Sequence, residues 1–111
     1  MDIAESRQGA VTVLKPSGAL ALGDAEEFKN RAMDARSRSL GRFVIDASAM
    51  SYLDSQGLEA LVHISNDMAE SGQPLRLCNV NETVREVLDL VGVTERFEFC
   101  LDVNTAVRSF L

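Results

Sequence analysis

The spacing of apolar and polar residues along the chain changes period several times, and each change marks a predicted element. Ile3 to Arg7 alternates weakly and reads as a strand, Gln8-Gly9 as a turn, and the β-branched run Val11-Thr12-Val13-Leu14 as a buried strand that ends at Pro16 and Gly18. Asp24, three residues before Glu27, predicts a helix start in which each side chain satisfies a free backbone N–H. Ala25, Phe28, Ala32 and Ala35 then fall on one face of that helix. Phe43-Val44-Ile45 is a short unbroken apolar run, the pattern of a strand covered on both faces, and it ends at Asp46. A loop over Ala47 to Asp54 follows, then a helix from Ser55 to Glu70 with Leu58, Leu61, Val62, Ser65 and Met68 inward. Leu75 to Cys78 is the next strand. Asn81 caps a helix whose Val84, Val87, Leu88 and Val91 share a face, with Gly92 past its end. Phe97 and Phe99 alternate with Glu98 in a last strand, and Asp102 opens a terminal helix with Val103, Ala106, Val107 and Phe110 on one side.

An opening hairpin followed by alternating strands and helices predicts an α/β domain: a mixed sheet of four to five strands, about four helices, and βαβ crossovers. No linker divides residues 1–111, which read as a single domain. Ligands and partners of such sheets gather at the carboxyl ends of the strands. Here that edge carries Asp46, Asp54 and Ser55.

Composition narrows the function classes. Eleven basic and 17 acidic side chains leave a net charge of −6, so direct contact with nucleic acid or an anionic membrane is disfavoured. No stretch of about 18 apolar residues is present to insert in a bilayer. Two cysteines, Cys78 and Cys100, and one histidine make no structural zinc set, and no metal or cofactor is expected. Free thiols and a start without a basic or apolar leader point to the cytoplasm.

The segment Val44 to Leu58 carries the candidate chemistry. A buried strand delivers Asp46 to the sheet edge as a loop anchor that accepts backbone N–H bonds. Asp54-Ser55-Gln56-Gly57 then opens a helix that either Asp54 or Ser55 can cap. Gly57, lacking Cβ, lets another backbone or a partner come close. Met50, Tyr52 and Leu53 crowd the loop and are read as an apolar contact patch beside Ser55, or as residues folded onto the core. Catalysis is not expected. His63 lies eight residues from Ser55, roughly 12 Å along one helix and beyond hydrogen-bond reach, and neither a nucleophile elbow nor a phosphate-cradling glycine loop is present.

Val44-Ile45-Asp46, Ser48, Tyr52-Leu53 and Asp54-Ser55-Gln56-Gly57-Leu58 closely resemble the STAS domain, in particular the bacterial anti-sigma factor antagonists. The resemblance extends over the whole order of elements. It implies a non-enzymatic, partner-switching regulator of transcription. The unmodified form binds an anti-sigma factor serine kinase and frees the sigma factor, phosphorylation at Ser55 breaks that complex, and a PP2C-type phosphatase restores it. The implied partner surface comprises Asp24, Ser48, Met50, Tyr52, Leu53, Asp54, Ser55, Gln56 and Gly57, on a monomer or weak dimer. The alternative within the resemblance is a non-catalytic subunit docked in a transporter or signalling complex. Gly18-Ala19-Leu20-Ala21 departs from the family's usual Gly-Glu-x-Asp, so Ala21 replaces an acidic residue near the phosphorylation site, for which Asp24 is the nearest substitute.

Overall fold

A computed structural model describes all residues from Met1 to Leu111. The chain runs through β1 (Asp2–Gln8), β2 (Val11–Leu20), α1 (Leu22–Arg38), β3 (Phe43–Asp46), β4 (Met50–Leu53), α2 (Ser55–Glu70), β5 (Leu75–Cys78), α3 (Glu82–Leu90), β6 (Phe97–Cys100) and α4 (Val103–Arg108). A single 3-10 turn at Thr94–Arg96 precedes β6. The sheet has six strands, one more than the sequence pattern shows, in the order β1-β2-β3-β5-β6, with β4 paired to the far end of β2. Only the β1–β2 hairpin is antiparallel; the other pairs are parallel and joined through helices.

Alternation across two covered faces explains the continuous burial of Val11–Leu14 in β2 and Phe43–Ile45 in β3. Leu14, Phe43 and Ile45 face a core of 20 residues under α1, α2 and α3, where Phe28, Ile64, Met68 and Leu88 are fully buried. Val11, Val13, Val44 and Cys78 face the opposite side, where Ala106 of α4 closes a smaller core together with Val103, Val107 and Phe110. Each face removes its own apolar area from water, so neither layer stands without its helices. Arg76 of β5 is buried beneath α4. Its Nε donates to Ser109 Oγ at 2.7 Å and its guanidinium lies 3.9 Å from the centre of the Phe110 ring. At the hairpin edge, Arg38 of α1 donates two hydrogen bonds to Glu5 at 3.1 and 3.0 Å, tying β1 down.

Five expectations are corrected. Strand β2 does not stop at Pro16 or Gly18. Pro16 lies opposite Ile3 of the outermost strand, β1, and Gly18 adopts φ +95 where the register shifts and β2 leaves β3 to pair with β4. The Asp24–Glu27 cap does not form. Ala21 precedes the first turn with no side-chain cap, and Asp24 instead receives the Met1 amino group at 3.3 Å. Part of the loop Ala47–Asp54 is strand β4, hidden in the sequence because only its ends, Met50 and Leu53, point inward. Ile64, absent from the expected inner face of α2, is fully buried there, while Leu58 and Val62 pack against the core only partly buried. Val91 is half exposed beyond the end of α3.

Cys78 reports on the two-faced burial of β5. Desolvation, with the neighbouring Cys100 thiol and the Asp46 charge, pushes its thiol up to about 12. Iodoacetamide at about pH 8 should therefore leave Cys78 unmodified in the folded protein and modify it fully after denaturation, as read by mass spectrometry. Rapid native labelling at Cys78 would mean that α4 does not seal this face.

Candidate functional site

At the carboxyl ends of β2 and β4, Asp54 joins the starts of α1 and α2. Its side chain serves two helices. Oδ1 accepts from Gly57 N–H at 2.9 Å and caps α2, while Oδ2 accepts from Leu22 N–H at 3.2 Å at the first residue of α1. Its own N–H donates to the Leu20 carbonyl at 3.3 Å, and its carbonyl accepts from Leu58 N–H at 2.9 Å. The orphan donors of two helix starts thus share one carboxylate. Gly57 makes the arrangement possible. A Cβ at that position would lie 2.1 Å from the Leu20 carbonyl oxygen, a backbone atom that cannot swing away.

Ser55, the first residue of α2, is exposed, as is Gln56. Both stand on a helix whose N-terminal N–H groups concentrate positive potential. Tyr52 is 47% exposed, whereas Met50 and Leu53 are each 1% exposed and belong to the main core. The expected contact patch of Met50, Tyr52 and Leu53 is thus reduced to Tyr52, because strand alternation in β4 turns both end residues inward. Gly57 is buried as well, and its contribution is close packing rather than surface. Asp24 is half exposed and engaged by the Met1 amino group.

Below this rim, Asp46 accepts Ser48 N–H at 3.0 Å and the Asn79 side-chain amide at 3.2 Å, leaving Ser48 itself exposed. Burial alone would raise the Asp46 carboxyl, but the bonds from Ser48 and Asn79 and the charge of Lys15 together hold it below the usual carboxylate range. Sequence reasoning missed the parts played by Asn79 and Leu22, and the second contact that Asn81 makes beyond its expected cap. Asn79 adopts φ +58, a conformation asparagine tolerates, and presents its amide to Asp46. Asn81 caps α3 at Val84 N–H and also donates to the Met50 carbonyl at 2.8 Å, pinning the start of β4. Leu22, with φ +50, is brought beside Asp54 by a contact across 32 positions that no local pattern announces. A groove of about 520 Å³ between α1 and α2, lined by Lys29, Gln56, Glu59 and His63 among others, opens next to Gln56. His63 is exposed on the same helix as Ser55, two turns farther along.

The chain belongs to the STAS-domain family, whose sequence model matches residues 3–106. An anti-sigma factor antagonist from Mycobacterium paratuberculosis superimposes with a TM-score of 0.82 at 19% identity, over 97% of this chain and 92% of that one. The Bacillus cell fate determinant SpoIIAA in its phosphorylated form matches with a TM-score of 0.70 at 15% identity, over 97% and 99% of the two chains. The same fold occurs within the murine anion transporter Slc26a9, with a TM-score of 0.76 at 19% identity over 90% of this chain and 17% of the transporter. At these identities the likeness concerns the fold, which is shared by anti-sigma factor antagonists and a transporter domain.

The contacts of Asp54, Gly57 and Asp46 each have a measurable consequence. Asp54→Ala should lose about 2 kcal/mol in urea unfolding, since two capping bonds go at once, and Gly57→Ala about 3 kcal/mol from overpacking against Leu20. In an acid titration, the Asp46 contribution is fully present above its unfolded-state value of about 3.9 and fades as pH falls through the lower folded value. The fall in urea midpoint between about pH 5 and pH 2 should therefore be shallower for Asp46→Asn than for the unchanged protein.

Proposed function

We propose that this protein is an anti-sigma factor antagonist that works by partner switching at Ser55. The observation that carries the reading is a serine exposed at the positive end of α2, on a turn held rigid by Asp54 and Gly57. In this cycle the unmodified protein binds an anti-sigma factor serine kinase and releases the sigma factor. The kinase transfers the γ-phosphoryl group of ATP to Ser55 Oγ, the hydroxyl proton leaves, and ADP departs. The phosphorylated form dissociates, and a PP2C-type phosphatase hydrolyses the phosphoserine to regenerate the binding form. The protein is substrate and ligand in this cycle rather than catalyst, acting in the cytoplasm as a monomer or weak dimer.

The electrostatics suit a switch that leaves the fold intact. A phosphoserine adds about −1.5 to −2 charges. The α2 dipole favours that charge at its N-terminus, and the adjacent Asp54 carboxylate opposes it. With the two effects opposed, the main change is in the surface a partner meets, across Ser48, Tyr52, Ser55 and Gln56. A second reading, a STAS subunit docked constitutively in a transporter or signalling complex, draws on the fold shared with the anion transporter.

Incubation with the purified serine-kinase anti-sigma factor of the same cell and ATP should label Ser55 alone. Ser55→Ala should stay unlabelled and kinase-bound, and Ser55→Asp should bind at least several-fold more weakly, one carboxylate imitating only part of a phosphate. Undiminished label on Ser55→Ala would overturn the assignment of the site. A Ser55→Ala protein that functions normally and co-purifies with a transporter would favour the second reading.

A further inference from the structure

We propose that Leu22 is the apolar docking residue for the kinase that modifies Ser55, so that this antagonist is recognised beside its switch serine by hydrophobic contact. The inference rests on the partner-switching reading above and adds to it the chemistry of the partner's surface. Leu22 is 65% exposed and adopts φ +50, a region that leucine enters only at a cost of about 1 kcal/mol or more. Gly23 follows it directly and has no positive φ. The strained position is therefore occupied by a large apolar side chain although a glycine there would relieve the strain. Leu40 and Asn79 also have positive φ. Leu40 lies just past the end of α1, where helices commonly terminate in this way, and asparagine tolerates the conformation. Leu22 stands at a helix start, where no such termination requires it. Its N–H is fixed to Asp54 Oδ2 at 3.2 Å, so the backbone that presents the side chain is held in place.

The place of Leu22 decides what covers it. In the β2–β4 pairing, Ala19 lies opposite Tyr52 and Leu20 opposite Leu53, so the residues that follow, Ala21-Leu22 and Asp54-Ser55, run side by side. Any enzyme that brings ATP to Ser55 Oγ must spread over this spot. Its surroundings carry little charge on the β2 side. Ala19 is exposed and Ala21 half-buried, and Tyr52 across the ladder is half exposed. Ala19, Ala21 and Tyr52 offer methyl groups and a phenol ring, while the nearby carboxylates are already engaged, Asp54 by the Leu22 and Gly57 N–H groups and Asp24 by the Met1 amino group, so an apolar patch on the kinase fits.

The test uses the full chain and the purified serine-kinase anti-sigma factor of the same cell, with binding measured by calorimetry at low and high ionic strength. Leu22→Gly should fold with equal or greater resistance to urea, because glycine is at ease at φ +50, yet bind the kinase about ten-fold or more weakly. Leu22→Met should bind within a few-fold of the unchanged protein, and the Leu22→Gly loss should be the same at both ionic strengths. Full affinity in Leu22→Gly, with Ser55→Asp weakened in the same experiment, would overturn the docking role and leave the switch standing. Unchanged affinity in both variants would overturn the partner-switching reading and, with it, this inference.

Discussion

One carboxylate organises the functional end of this molecule. Asp54 receives the first free N–H of α1 and the capping N–H of α2, while its backbone hydrogen-bonds the last residue of β2. That clasp works only because Gly57 has no Cβ to collide with Leu20. The start of one crossover unit is thereby welded to the start of the next, and the exposed serine sits on the weld rather than on a loose loop. Helix starts carry unsatisfied donors in any protein. Satisfying two of them with a single side chain fixes the distance between the two helix starts beside the exposed Ser55.

The remaining loop contacts follow the same economy. Asp46 and Asn79 hold Ser48, and Asn81 both caps α3 and fastens the start of β4. Polar side chains at the strand ends therefore spend their hydrogen bonds on backbone positioning, which leaves Ser55, Gln56 and Tyr52 projecting from a stiff rim. A rim of this kind supports the proposed switch, in which an added phosphate would alter the surface without first having to order a flexible segment.

Much of the fold was legible in the sequence because its signals are local. The Val84–Leu88 face, the Asn81 and Asp102 caps, and the unbroken Phe43–Ile45 run each announce their element within a few residues. Pro16 and Gly18 misled because a strand edge tolerates proline, and because a glycine at φ +95 lets a strand change partners as readily as it ends one. Asp24 looked like a cap, but the cap for α1 comes from Asp54, and nothing short of tertiary structure brings those positions together. The same reason hid Leu22, while of the two readings left open for Met50 and Leu53, contact patch or core, the pairing of β4 with β2 selects the core. The Asp-Ser-x-Gly signature located the site; its geometry comes from contacts distant in sequence.

Amide hydrogen exchange tests the central claim most directly. If Asp54 clasps both helices, replacing it with alanine should speed exchange at Leu22 and Gly57 together, while the Val84 amide, capped independently by Asn81, keeps its protection. Faster exchange at Gly57 alone, with Leu22 unchanged, would show that the two helix starts are held separately and would contradict the account.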